Sequence, residues 1–329
     1  MNTYRILTGG LITLAALLGG SISAEAQNSR TLEVLQTNPD VRTTALGETM
    51  GARQDRMSLF VSPLALIPND GNFGIEASTQ IYPTVDGLDG RSMQYNVVGG
   101  FKFLDRHVLS IGFRYQGAPK VQYFDINNSG ATTAPSTVSP FDWALDLAYG
   151  FQITREFSMS LSGNLIASWL GYGAYSGAAS IGAFYNHEYH FSNGEKGIYG
   201  LALKVNDIGA PLNYGPGHAY ALPTNAALSG ELGIDVPENH HFNFLLGARY
   251  FFLPSDAQLF TLGGGVEYDY NDLIFARLGL QYGSHQTSRF TAGLGVKLLH
   301  RFALDAAYSH GMKRLTGVDV WSIGLTTRF

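Results

Sequence analysis

The sequence contains no cysteine, which excludes disulfide staples, thiolate metal ligands, cysteine nucleophiles and an acylated N-terminal anchor. Nor does it hold an apolar run of the ~20 residues that a transmembrane helix needs. The longest candidate, Ile6 to Leu18, is short and broken at Gly9 and Gly10. Charged residues make up only 14% of the chain, against about 25% in an ordinary soluble domain. The net charge of -5 leaves no broad basic surface, so nucleic acid is excluded as a partner.

What the chain does have is 40 Gly, 20 Phe and 18 Tyr. Low charge with abundant glycine and aromatics suits a wall that faces lipid on one side and carries aromatic belts at both membrane surfaces. At the start, Arg5, the apolar run and Ala24-Glu25-Ala26 form a secretory signal peptide over residues 1–26, with the mature chain beginning at Gln27.

From about Asn72 onward no helical period appears, and fourteen runs of alternating character follow one another. In the last, Val318 to Phe329, the residues Trp321, Ile323, Leu325, Thr327 and Phe329 share one face, while Ser322, Gly324, Thr326 and Arg328 share the other. Leu109, Ile111, Phe113 and Tyr115 oppose Ser110 and Arg114 in the same way. A soluble sandwich also alternates, but here aromatics recur at the strand ends and no helix is available to cover the apolar face. Strand lengths near the 9 to 11 residues that cross a bilayer at a tilt are expected. Tight turns at Asp105-Arg106, Thr154-Arg155, Asn271-Asp272 and His300-Arg301 alternate with longer connections such as 117–139 and 206–222. The expectation is an all-β transmembrane outer-membrane barrel of about fourteen antiparallel strands over residues 71–329, with both termini periplasmic. Residues 27–70 do not alternate and are too apolar for an exposed arm, so they are expected to plug the lumen.

A slip of one residue would turn lumen charges toward lipid, so the polar face points inward. The charge network expected there comprises Arg114, Asp142, Asp146, Glu231, Arg249, Glu267, Arg277 and Asp305, read mainly as compensating pairs and otherwise as a substrate path. His187 and His190 stand three apart and would share a metal only on a helix, so they read as interfacial residues and no metal site is expected. Several histidines have serines nearby, but no Gly-x-Ser-x-Gly elbow exists and no catalytic residue is assigned. No cofactor is expected. On the outer loops Tyr123, Phe124, Tyr214, His218 and Tyr220 are candidates for contact with a partner, or equally for an interfacial belt.

The stretch Asn38-Pro39-Asp40-Val41-Arg42-Thr43-Thr44-Ala45-Leu46-Gly47 resembles the opening segment of the PorV and PorQ barrels, relatives of the FadL-type fatty acid transporters. Val205 to Tyr214 and Ala221 to Asn225 resemble a second segment of that group. Where the group carries Asn-Pro-Ala, this chain has Val61-Ser62-Pro63-Leu64-Ala65. The resemblance implies a component of the type IX secretion system, partnered by secreted cargo proteins, other secretion subunits and outer-membrane lipids, that carries cargo from translocon to attachment machinery. The rival reading is a FadL-like transporter of hydrophobic small molecules; a lipopolysaccharide-modifying enzyme is a minor third.

Overall fold

Alternating side chains, the dominant pattern of the sequence, are built into fourteen antiparallel strands that close on themselves. The computed structural model describes residues 32–85, 87–123, 136–190, 196–215, 219–255, 259–284, 287–299, 301–312 and 319–329. The expected signal peptide lies outside the described residues. The strands are β1 (Phe73–Thr84), β2 (Arg91–Phe103), β3 (His107–Gly117), β4 (Phe141–Gln152), β5 (Phe157–Trp169), β6 (Gly173–His190) and β7 (Lys196–Gly209). They continue as β8 (Asn225–Val236), β9 (His240–Phe251), β10 (Phe260–Tyr270), β11 (Ile274–Gly283), β12 (Arg289–Leu298), β13 (Phe302–Gly311) and β14 (Val320–Arg328). Each pairs with its sequence neighbours, and β14 returns to β1 with Glu76 opposite Thr326. Phe73 and Phe329 seal that seam by exchanging backbone bonds of 2.9 and 2.7 Å.

The two faces differ as the pattern requires. Leu147, Leu278 and Leu294 are 60%, 59% and 67% exposed on the outside, whereas Gln94 and Glu267 are fully buried inside. Such an outer surface has no favourable contact with water and fits a hydrocarbon layer. Ring contacts mark both ends of the wall: His107 with Tyr149 and Phe151, and His240 with Tyr268, at one rim; Tyr115 with Phe141, and Tyr308 with Trp321, at the other.

At the turn rim, consecutive left-handed residues make tight reversals: Leu104 and Asp105, Glu238 and Asn239, Asn271 and Asp272. The first reversal therefore centres one residue earlier than Asp105-Arg106. The opposite, loop rim carries the longer connections with one exception, since β5 and β6 are joined by 170–172, where Leu170 N–H donates to the Tyr172 carbonyl at 3.2 Å. Strands run from nine residues in β14 to 18 in β6. The excess over the expected length in β6 projects at the turn rim, where His187 meets Glu156 at 2.5 Å.

Residues 32–66 run inside the barrel, and 67–72 lead out to β1 at the turn rim. They form two single-turn helices, α1 (Glu33–Gln36) and α2 (Val41–Thr44), and a 3-10 turn at Pro63–Leu66. Asp40 caps α2 and Ser62 caps the 3-10 turn. Met57, Leu59, Leu64 and Leu66 pack against Val98, Val108 and Phe184 of the wall. Those wall residues are apolar yet point inward, because the inner segment gives them an apolar partner.

The first described residue, Leu32, packs with Leu212 and Leu222 at the loop side of the lumen. The segment then descends toward Phe73 at the turn rim. An even strand count brings the barrel's own ends, Phe73 and Phe329, to one rim; it places no constraint on a segment threaded through the middle.

Candidate functional site: the occupied lumen

The stretch Asn38 to Gly47 is the part of the inner segment most thoroughly bonded to the wall. Asn38 accepts from Asp40 N–H at 3.1 Å and donates to the Thr43 hydroxyl at 2.9 Å and the Thr49 carbonyl at 3.2 Å. The Asp40 carboxylate accepts from Arg42 N–H at 3.1 Å and from the Thr43 hydroxyl at 2.7 Å. These bonds aim the Arg42 side chain at two carboxylates of the wall. Its Nη2 reaches Glu231 at 2.6 Å and its Nε reaches Glu267 at 3.0 Å.

The network extends outward from there. Glu267 also takes Arg277 Nε at 2.6 Å, and Arg277 passes on to Asp305 at 2.5 Å. Arg56 of the inner segment binds Asp269 at 2.6 Å. The second Glu231 oxygen accepts the backbone N–H groups of Ala52 and Arg53, each at 3.1 Å. Buried carboxylates of this kind are tolerable because each is paired and hydrogen-bonded.

Beside the clamp, the backbone of Ala45 to Gly47 touches a wall of glycines. A Cβ on Gly263 would lie 2.2 Å from the Gly47 carbonyl oxygen, and one on Gly279 would lie 2.3 Å from the Gly47 nitrogen. Gly47 itself sits at φ 82, a left-handed position that glycine adopts without strain.

Burial pushes the Asp40 carboxyl up to about 6 from 3.8, with Glu76 and Asp305 adding to the rise and Thr43 and Arg42 opposing it. A carboxyl raised in the folded state binds more protons there than in the unfolded chain. Its stabilisation is therefore complete below 3.8 and is lost as pH climbs through about 6. Relative to Asp40→Asn, the wild-type inner segment should become more susceptible to protease between about pH 4 and pH 7. Parallel pH profiles for the two proteins would contradict this.

The structure distributes the sequence-predicted charges unevenly. Glu231, Glu267, Arg277 and Asp305 join the clamp, and Arg114 holds Asp146 through two bonds of 2.7 Å. Asp142 lies apart with one carboxyl oxygen buried and unpartnered. Arg249 has neither hydrogen bond nor ion pair among the described residues. Sequence reading missed Arg42 and Arg56; three arginines within residues 42–56 were the available signal.

Among the loop candidates, Tyr214 packs edge-on to Tyr220 at 5.8 Å and against the inner cluster of Leu35, Leu212 and Leu222, so its ring caps the lumen. Tyr220 is exposed. The Tyr123 backbone belongs to a small hairpin, while Phe124 and His218 lie outside the described residues. Among the described residues no group of three His, Asp or Glu side chains is placed to hold a metal.

Between the inner segment and the wall lies a cavity of about 130 Å³. The inner segment lines it with Leu35, Leu59, Phe60 and Val61, and the wall lines it with serines, asparagines and charged groups.

By sequence, no family model and no curated protein matches the chain. By structure it is similar to the toluene transporter TodX of Pseudomonas putida, with a TM-score of 0.54 at 12% identity over 86% of this chain and 95% of that one. A TodX mutant described as a monoaromatic hydrocarbon channel gives a TM-score of 0.56 at 10% identity, over 88% and 98%. The fold is that of an outer-membrane β-barrel. The outer membrane accounts for the apolar exterior, the two aromatic belts and the contrast between tight turns and long loops.

Proposed function

We propose that this barrel passes small molecules across the outer membrane, with residues 32–70 as the element that closes and opens the lumen. The observation that carries the reading is a channel fold whose interior is filled by a segment joined to the wall through ion pairs and backbone contact, with a cavity left beside it. The strand pairing that closes the wall does not involve the segment, so the segment can leave its seat with the wall intact. The work is passage, with no bond made or broken.

The chain lacks thiols, which gives a direct test. Thr49 Cβ lies 3.3 Å from where a Gly247 Cβ would stand, close to the ~3.5–4.5 Å spacing of a disulfide. Oxidised T49C/G247C in liposomes should show at least a tenfold lower solute flux than the reduced form. Equal flux in both forms would sink the gating role.

A second reading rests on Asn38 to Gly47, the stretch that resembles the PorV and PorQ barrels. In that reading the closed barrel carries secreted cargo on its loops, near Tyr220. Those ten residues serve as the lumen anchor, so they support a shared way of seating an inner segment more directly than a shared cargo. Cargo proteins with a common C-terminal domain should co-purify with the barrel if the second reading holds; their absence, together with solute flux, favours the first.

A further inference from the structure

The cavity beside the inner segment carries more positive than negative groups. Arg114, Lys204 and Arg249 face two carboxylates, Asp146 and Asp207. Asp146 is paired with the Arg114 fork, while Asp207 accepts only the neutral Asn164 amide at 3.0 Å and its charge is shared among Arg114, Lys204 and Arg249, which leaves the cluster one net positive charge. Lys204 has one acceptor, the Val61 carbonyl of the inner segment at 2.9 Å, and Arg249 has none among the described residues. Glu48 shares a small adjoining cleft with Arg249 but is taken by Arg289 at 2.7 Å and the Ser309 hydroxyl at 2.8 Å.

The register brings the two cations together. Lys204 on β7 lies opposite Ala227 on β8, and Ala227 lies opposite Arg249 on β9. They stand at one height, about 10 Å apart at the backbone, with only a methyl group between them. Two long side chains can converge across that gap on one anion. Asp207 acts on both cations and Glu48 also acts on Arg249, but neither cation has a carboxylate in direct contact among the described residues; a guanidinium with an ammonium matches the oxygens of a carboxylate or phosphate.

Around them the wall offers the Ser160 and Ser162 hydroxyls, which suit a hydroxylated solute better than a hydrocarbon. The free volume admits on the order of ten non-hydrogen atoms.

We propose that Lys204 and Arg249 form a binding site for the carboxylate or phosphate group of a small hydrophilic solute inside the lumen. The proposal deepens the channel reading and rests on it for the meaning of the site, though binding itself can be measured separately.

The test uses the full-length barrel in detergent, with thermal unfolding followed in sodium gluconate, inorganic phosphate, uncharged glucose and toluene. Gluconate or phosphate should raise the unfolding temperature in a saturable way, and glucose should not. A response to gluconate alone identifies a carboxylate site, and a response to phosphate alone a phosphate site. Arg249→Gln should weaken the effective anion about tenfold or more, while Arg249→Lys should retain most of the affinity. Arg249 makes no hydrogen bond or ion pair among the described residues, so neither change breaks one, and Arg249→Lys keeps the charge that faces Glu48 and Asp207.

Anion responses that are equal in wild type and Arg249→Gln, or a response to toluene only, would overturn the site. Anion binding without flux into liposomes would leave the site standing and remove the channel reading. Toluene flux without anion binding would do the reverse.

Discussion

Replacing Arg42 with methionine should loosen the inner segment from its seat and expose residues 32–70 to protease. The change removes the guanidinium shared by Glu231 and Glu267, at 2.6 and 3.0 Å, from a region where both carboxylates are fully buried. Glu267 keeps Arg277, but Glu231 keeps only the two backbone N–H groups of Ala52 and Arg53, which belong to the segment being released. Breaking a buried pair from one side costs about 3–5 kcal/mol, because the remaining charge stays buried without its partner. The wall does not depend on Arg42 for its strand pairing, so the barrel should still fold and insert. Adding Glu231→Gln to Arg42→Met should restore much of the protease resistance by removing the stranded charge. If Arg42→Met alone stays as resistant as wild type, the clamp is not what holds the segment.

Gly279→Ala should have a comparable effect by a steric route. The new methyl would stand 2.3 Å from the Gly47 nitrogen and 2.6 Å from the Leu46 carbonyl carbon. Both obstacles are main chain, so no rotamer change relieves them and the Leu46-Gly47 turn must move away. Overpacking of this kind costs about 1–3 kcal/mol, and here the cost falls on the docking of the segment. Gly99→Ala is the matched control, since its methyl would meet nothing closer than 4.0 Å. Conductance across planar bilayers is the readout: Gly279→Ala should open more often than wild type, and Gly99→Ala should not. Identical conductance in all three would mean that close backbone contact at this wall contributes nothing to closure.

The barrel was legible in the sequence because its two environments, lipid and lumen, select side chains of opposite character at every second position. Leu278 and Arg277 are adjacent and could not exchange roles. The lumen was less legible for the same reason turned around. Val98, Val108 and Phe184 are as apolar as the lipid-facing residues, and only the path of the inner segment explains why they point inward. The clamp joins residues about 190 to 225 positions apart, a pairing that no local pattern encodes. Gly263, Gly265 and Gly279 look like weak points in strands until the turn that rests on them is known. The candidate site was readable as a set of charges but not as a set of partners, so Arg249 drew no more attention than its paired neighbours. Among the loop aromatics, Tyr214 has the chemistry of a contact residue while its ring packs on the cluster of Leu35, Leu212 and Leu222, a placement that no local pattern announces.

The descent of the inner segment from Leu32 to Phe73 also orders the molecule's assembly. This segment precedes every strand of the wall in the chain, yet the seat of Arg42 and the Leu46-Gly47 turn is made from Glu231, Glu267, Gly279 and the faces of α2's neighbours on β12, β13 and β14, all in the second half of the wall. Until those strands are in place Arg42 and the Leu46-Gly47 turn have nowhere to dock, although Leu59, Leu64 and Leu66 already have Val98, Val108 and Phe184 to pack against, and contacts spanning so much sequence form late. The clamp is thus the last of the segment's contacts to become available, and a chain cut short before β10 would lack Glu267, Gly263 and Gly279.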